Sequence, residues 1–258
     1  MREVSWIGWV AVLVTTAGCG RAPRPVAREL GPRPQALEQS PTRRQPPRGE
    51  ESPSANPVAS VTPAPDDPLH GNFSLADATQ GLVGSGPLVA TIDTELGKLE
   101  CKLYDDRAPV NVANFIGLAR GKRPWKNRAG NWVEKPAYDG TTFHRIFRTF
   151  MIQGGDPNGD GTGEPGYPVP DEPAKNALYD RAGLLCMANR ADIPNSSGMQ
   201  FFITDGPAPH LDHGNYGAII GECAPDQVVR ALASVEVSGD RPLKAPMITS
   251  IKVRRESR

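Results

Sequence analysis

The apolar residues that could form a core are concentrated after residue 85 of this 258-residue chain. Before that point, residues 20–85 are rich in proline, arginine and other polar residues, and they contain few aromatic or β-branched runs. Such a segment buries too little apolar surface to offset the entropy of ordering, so its composition predicts a disordered, proline-rich linker. Residues 86–255 carry the alternating apolar patterns and are numerous enough to form one compact domain.

Residues 1–19 have the composition of a secretory signal peptide. Arg2 precedes an apolar stretch too short to span a bilayer, and small residues follow it. The ending Ala17-Gly18-Cys19 resembles a bacterial lipobox, in which the cysteine is lipidated. It predicts a periplasm-facing protein held in the bacterial cell envelope by a lipid anchor on Cys19. Ordinary signal cleavage, with Cys19 incidental, would instead give a soluble secreted protein.

Periodicity in the second part of the chain predicts strands and two helices. Alternating residues at 88–94 and 97–104 predict two strands joined by a short turn. Residues 108–121 predict a helix with Pro109 in its first turn and Gly121 after its end, and residues 225–235 predict a second helix. Short apolar runs separated by glycine, proline and asparagine lie between them. This pattern favours a mainly β fold, a small barrel with helices over its ends.

The cysteines and the overall charge limit the possible partners and cofactors. Cys101, Cys186 and Cys223 each lie in an apolar, strand-like run, which predicts buried side chains. Three cysteines allow at most one disulfide within the domain, and the sequence alone selects no pair. The formal net charge is zero, which argues against nucleic acid as a partner.

The most specific signal is a set of three short segments. Residues 143–156 read FHRIFRTFMIQGGD, residues 187–189 read MAN and residues 200–202 read QFF. Their order and spacing resemble the cyclophilin family of peptidyl-prolyl cis/trans isomerases, and a constellation of this length is more specific than any single short motif. The resemblance implies a closed, eight-stranded antiparallel β-barrel capped by two α-helices. It also implies isomerase activity on X-Pro bonds with neither a metal nor a cofactor.

The same resemblance implies roles for individual residues. Arg145 occupies the position of the family's catalytic arginine. Gln153 is expected to hold the substrate backbone or to orient Arg145, and the backbone of Ala188 and Asn189 is expected to pair with the residue before proline. His210 stands where many members carry tryptophan, and Tyr216 is expected to close the pocket. The other expected members of the site are Phe150, Met151, Gln200, Phe202 and Leu211.

Rotation about a peptide bond calls for a cation rather than for an acid or a base. Twisting an X-Pro amide breaks its resonance and makes the prolyl nitrogen basic, so a guanidinium aimed at that nitrogen stabilises the transition state more than the ground state. No proton moves, and His144 beside the arginine is therefore predicted to be a hydrogen-bonded structural histidine. We expect a monomer acting on proline-containing segments of unfolded or exported proteins. The alternative is a chaperone or scaffold module that binds such segments with little turnover.

Overall fold

The computed structural model describes residues 61–172, 178–190, 192–212 and 217–257, and within them it is mainly β. The strands in these ranges are, in chain order, β1 (Leu88–Thr94), β2 (Gly97–Leu103), β3 (Trp125–Lys126), β4 (Trp132–Val133), β5 (Arg145–Phe147), β6 (Met151–Gly154), β7 (Leu184–Met187), β8 (Phe201–Thr204), β9 (Ile219–Ala224), β10 (Val237–Ser238), β11 (Arg241–Pro242) and β12 (Ile248–Arg255). Eight of them form one antiparallel sheet in the order β12-β1-β2-β9-β7-β8-β6-β5, while β3–β4 and β10–β11 are separate hairpins. The strands predicted at 88–94 and 97–104 are confirmed as β1 and β2.

The eight-stranded sheet curls but does not close, so the prediction of a closed barrel is wrong. Its edge strands, β12 and β5, form no ladder with each other in the described residues. The residues just before them are joined by an isolated bridge, Thr142 to Met247, and by hydrogen bonds such as that from the N–H of Phe143 to the carbonyl oxygen of Pro246 at 2.9 Å. The physical reason lies in the partner of β5. The N–H of Ile146 donates to the carbonyl oxygen of Asp240 at 2.8 Å, so the β10–β11 hairpin occupies the edge that β12 would need. Pro246, just before β12, has no N–H to offer.

Both predicted helices are present, as α2 (Pro109–Arg120) and α3 (Asp226–Ala233). Pro109 stands in the first turn of α2, and Gly121 ends the helix at a φ of 66°, a left-handed conformation that glycine adopts without a steric penalty. Helix α2 is buried along most of its length. Its Phe115 meets Phe201 of β8 edge to face with ring centroids 5.6 Å apart, which joins the helix to the inner face of the sheet.

Residues 61–85 are packed on the domain, so the predicted linker is wrong over this part of its length. They include a short third helix, α1 (Leu75–Thr79), which begins at a capping box formed by Ser74 and Asp77 and packs against α2. Residues 1–60, which contain the predicted signal peptide with Cys19 and the rest of the linker, lie outside the described residues.

A buried ion pair attaches this N-terminal segment to the domain. Arg123, 4% exposed, donates to the carboxylate of Asp67, 1% exposed, at 3.2 Å. The Arg123 guanidinium also lies over the rings of Phe73, at 5.1 Å, and Tyr167, at 4.0 Å. Low mean hydropathy therefore did not prevent ordering here, because a few specific contacts replace a broad apolar face.

One disulfide forms within the described residues. Cys101 on β2 and Cys223 on β9 stand opposite each other in the ladder and are bonded across a sequence separation of 122 residues. Cys186 on β7 is buried and free. No helix in the described ranges has the length and apolar character needed to cross a bilayer.

We expect Arg123→Met to destabilise the full chain by about 3 kcal/mol, because it leaves the buried Asp67 carboxylate without its partner. Urea unfolding would measure the loss, and limited proteolysis would show faster cleavage within residues 61–85. Arg128→Met is the matched control, since Arg128 forms an exposed pair with Asp160 at 3.2 Å, and its effect should stay within about 0.5 kcal/mol. Equal stability of the two variants would contradict the role given to the Arg123–Asp67 pair.

Candidate active site

Three neighbouring strands place a cation, an amide and an aromatic ring in one row. Arg145 on β5 is registered with Gln153 on β6, and Gln153 is registered with Phe202 on β8. Because side chains alternate along a strand, these three share the outer face of the sheet, while Ile146 and Ile152 point into the core. The order of the motif along the chain thus becomes a compact row across the sheet.

A chain of hydrogen bonds runs through the polar members of the row. Nη1 of Arg145 donates to Oε1 of Gln153 at 3.3 Å, and Nε2 of Gln153 donates to Oε1 of Gln200 at 2.9 Å. Nε2 of Gln200 in turn donates to the carbonyl oxygens of Gly161, at 2.9 Å, and Gly163, at 3.1 Å. Each amide therefore has a fixed orientation, and the loop at 156–163 is joined to the guanidinium through two glutamines.

The opposite side of the Arg145 guanidinium is held by a residue that sequence reasoning missed. Nε donates to Oδ2 of Asp240 at 2.9 Å, and the guanidinium lies over the ring of Phe147 at 4.9 Å. The hydrogen bond from Arg145 holds the pKa of the Asp240 carboxyl below its usual value. Nη2 makes no hydrogen bond with any residue in the described ranges. Asp240 lies 95 residues from Arg145, and no local pattern connects the two.

An apolar cluster, at the position expected for the proline pocket, adjoins the row. Met151, Phe202 and Leu211 are buried in it, and Phe150 is partly buried against them. The imidazole of His210, which is exposed, meets the ring of Phe150 edge-on at 4.8 Å. The structure therefore brings the predicted apolar residues and His210 together beside Arg145.

A second layer beneath this pocket was not predicted. It consists of Tyr179, Leu184, Cys186, Ala208 and Ile219. The Tyr179 ring stacks on Phe202 at 6.4 Å, and burial raises the pKa of the Cys186 thiol, which keeps it protonated and unreactive. Alternation along β7 and β9 places Leu184, Cys186 and Ile219 on one face, but only the strand order shows that this face lies under the pocket.

Ala188 and Asn189 follow β7 at the other end of the row. The N–H of Ala188 donates to the carbonyl oxygen of Gln200 at 2.8 Å, and Oδ1 of Asn189 accepts from the N–H of Gly217 at 3.1 Å. Together with Gln153 and the loop at 161–165, these residues line a cavity of about 260 Å³. Tyr216, predicted to close the site, lies outside the described residues and stays a prediction.

The sequence is similar to known enzymes over the part of the chain that forms this site. Residues 89–253 match the family model described as cyclophilin type peptidyl-prolyl cis-trans isomerase/CLD. The chain belongs to this family. Mycobacterium tuberculosis peptidyl-prolyl cis-trans isomerase A is 41% identical over 168 residues, covering 64% of this chain and 91% of that protein. Streptomyces anulatus peptidyl-prolyl cis-trans isomerase B is 42% identical over 171 residues, covering 64% and 96%.

A solved structure extends the likeness to the fold. A crystal structure of a Cryptosporidium parvum cyclophilin type peptidyl-prolyl cis-trans isomerase aligns with a TM-score of 0.54 at 28% identity, over 66% of this chain and 99% of that one. The resemblance inferred from the three short segments is therefore confirmed, and the chain is a peptidyl-prolyl cis-trans isomerase. The packed segment at 61–85 precedes the residues that match the cyclophilin model.

The described residues of this cyclophilin contain no group of three or more His, Cys, Asp or Glu side chains that could hold a metal. His144, next to Arg145, is 8% exposed, and neither of its ring nitrogens makes a hydrogen bond of standard geometry in the described ranges. The backbone of Thr142 and the side chain of Gln200 nevertheless lie beside the ring and favour its charged form, so the hydrogen-bonded histidine stays a prediction. Burial lowers the pKa of His144 below its usual value of 6.5.

We expect His144 to make the fold weaker in mild acid. Below pH 6.5 the unfolded chain binds a proton on this histidine, while the folded chain resists it because its pKa is lowered. The free energy of unfolding should therefore fall as the pH drops from about 7 to about 5, and His144→Gln should reduce that slope. Urea unfolding at several pH values would measure it, with the exposed His70→Gln as control. An unchanged slope in His144→Gln would contradict the expectation.

Proposed function

We propose that this chain accelerates X-Pro rotation in exported proteins, and that Arg145 stabilises the twisted amide. The observation that supports the proposal is the set of contacts made by the Arg145 guanidinium. Two of its nitrogens are held by Asp240 and Gln153, the third makes no hydrogen bond with described residues, and the apolar pocket lies on the same face of the sheet.

The chemistry requires only binding and electrostatics. The barrier to rotation is about 18–20 kcal/mol because the planar amide is stabilised by resonance. As the bond twists, the lone pair returns to the prolyl nitrogen, which becomes a hydrogen-bond acceptor. A guanidinium that is already fixed beside this nitrogen lowers the barrier, since it meets the acceptor only in the transition state. No nucleophile or general base takes part.

The pocket suits a proline ring, which has no N–H and is recognised by shape. Phe150, Met151, Phe202 and Leu211 provide an apolar surface that removes water from the ring and from the adjacent amide. The backbone at Ala188 and Asn189 would hold the residue before proline in an extended conformation, and Gln153 and Gln200 would bind the neighbouring peptide groups. Tyr216 would close the pocket.

The proposed location is the bacterial cell envelope, with the domain facing the periplasm and Cys19 carrying a lipid. The disulfide between Cys101 and Cys223 supports this proposal, because such bonds persist in oxidising compartments. Residues 20–60 would tether a monomeric domain to the membrane. A soluble secreted form, cleaved without lipidation, is the second possibility.

The alternative function is a proline-binding chaperone or scaffold with little turnover. The same pocket would serve it, since binding requires the apolar surface and the backbone contacts alone. The arrangement around Arg145 favours the enzyme, because a pure binder gains nothing from a cation held beside the prolyl nitrogen.

Export can be tested through the disulfide. When the full chain with residues 1–19 is produced in a bacterium and its free thiols are blocked on lysis, we expect peptide mapping to recover Cys101 joined to Cys223. A chain lacking residues 1–19 should stay in the cytosol and carry both as thiols. Free thiols at both positions in the full chain would contradict an oxidising location.

We expect Arg145→Ala to lower kcat/KM for an Ala-Pro peptide at least about tenfold, which corresponds to roughly 1.4 kcal/mol of transition-state stabilisation. Protease-coupled and NMR exchange assays of the cis/trans conversion would measure it on the full chain. Arg145→Lys should retain part of the rate, because it keeps the charge and loses the planar fork. Arg148→Ala is the control, since Arg148 is exposed and donates to the carbonyl oxygens of Ser234 and Val235.

Peptide binding should be measured in parallel by NMR titration. Loss of rate in Arg145→Ala with binding preserved supports the enzyme mechanism. Full rate in Arg145→Ala would rule out the proposed role of the cation. A wild-type chain that binds the peptide without accelerating exchange would instead support the chaperone.

A further inference from the structure

Within the described residues, the β10–β11 hairpin is hydrogen-bonded to β5 through one residue, Asp240. Asp240 stands in the two-residue turn of this hairpin, after Gly239, whose φ is 67°. The carbonyl oxygen of Asp240 accepts from the N–H of Ile146 at 2.8 Å, and its carboxylate accepts from Nε of Arg145 at 2.9 Å. The main chain of Asp240 thus docks the hairpin on β5, while its side chain reaches the guanidinium.

We propose that Asp240 is a positioning residue for the isomerase reaction, which fixes the Arg145 guanidinium before the substrate arrives. This inference rests on the proposed role of Arg145. Asp240 lies outside the segments 143–156, 187–189 and 200–202. It affects the rate of the reaction through Arg145 and does not contact the reacting bond.

The contacts of the guanidinium explain why two anchors are needed. Gln153 holds Nη1 at 3.3 Å, a long hydrogen bond that alone leaves the group free to rotate about it. Asp240 holds Nε at 2.9 Å, and the Phe147 ring supports the flat face at 4.9 Å. With two edges and one face in contact, the remaining nitrogen, Nη2, has a defined position, so the substrate does not have to restrict a long, flexible side chain on binding.

The pair contributes little to the stability of the fold. The side chains of Arg145 and Asp240 are 44% and 36% exposed, and ion pairs in such surroundings are screened by water and salt. The hairpin is also docked through the main-chain bond to Ile146, which a change of the Asp240 side chain leaves in place. An effect of Asp240 should therefore show in catalysis and scarcely in unfolding.

The charge of the Asp240 carboxylate and its hydrogen bond to Arg145 have opposite effects on the rate of the reaction. A carboxylate next to the guanidinium offsets part of the positive charge that the twisted amide requires, whereas its hydrogen bond fixes the direction of the donors. If offsetting the charge dominated, removing the carboxylate would raise the rate. Asp240→Ala removes both effects, and Asp240→Asn removes the charge but keeps an oxygen that can accept from Nε.

The experiment compares Asp240→Ala, Asp240→Asn and Arg145→Ala with the wild-type full chain on the same Ala-Pro peptide. We expect Asp240→Ala to lower kcat about fivefold with KM nearly unchanged, and Asp240→Asn to recover a large part of that loss. In the Arg145→Ala background, Asp240→Ala should cause no further loss, because it acts through the arginine. The Nε–H resonance of Arg145 in a ¹H–¹⁵N spectrum should shift in Asp240→Ala. Asp180→Ala is the control, as Asp180 forms a half-exposed pair with Arg181.

The outcomes separate this inference from the proposed function. If Arg145→Ala keeps the full rate, the role of Arg145 fails and the inference fails with it. If Arg145→Ala loses rate while Asp240→Ala keeps or exceeds the wild-type kcat, the role of Arg145 stands and the inference is overturned. Equal losses from Asp240→Ala in the wild-type and Arg145→Ala backgrounds, or a matching fall in the midpoint of unfolding, would also overturn it by showing a structural role.

Discussion

The site depends on how the three-residue strand β5 is held. One edge of β5 pairs with β6, which sets Arg145 beside Gln153 and Phe202. The other edge receives a main-chain bond from the β10–β11 hairpin in place of a ladder with β12. The open side of the sheet and the geometry around the guanidinium therefore have one cause. Asp240, in the turn of that hairpin, is bonded to β5 through its main chain and to Nε of Arg145 through its carboxylate.

The sequence predicted the parts of the site that depend on local order. The resemblance to cyclophilins indicated Arg145, Met151 and Gln153 by their positions in the motif at 143–156. The register of β5 with β6 explains why the three share one face, since a strand changes face at every residue. The helix beginning at Pro109 and ending at Gly121 was likewise readable from its termini. By contrast, Asp240 and the pairing of Cys101 with Cys223 depend on which strands become neighbours across long separations. Nothing in a short window of sequence carries that information.

The boundary of the domain shows why composition misplaced a segment. An average over residues 20–85 is polar and rich in proline, and it predicts disorder for the whole length. The part from 61 to 85 is nevertheless packed, because Asp67 finds Arg123 and Phe73 lies under the same guanidinium. These contacts involve few residues and are mostly polar or aromatic. Their contribution to the packing of this segment depends on the positions of individual side chains, so an average of hydropathy over the segment does not show it.

The stability of the fold and the rate of the bond rotation depend on different groups in their response to pH. The groups around Arg145 are two amides, a carboxylate with a lowered pKa and apolar rings, and rotation about the amide transfers no proton. His144, next to Arg145 in sequence, is buried, and its pKa is lowered by burial. We therefore expect mild acid to weaken the folded state at His144 without protonating a group that the proposed chemistry uses. In the proposed mechanism, the bond rotation depends on the Arg145 cation, and the surrounding residues control the position of this cation rather than its protonation.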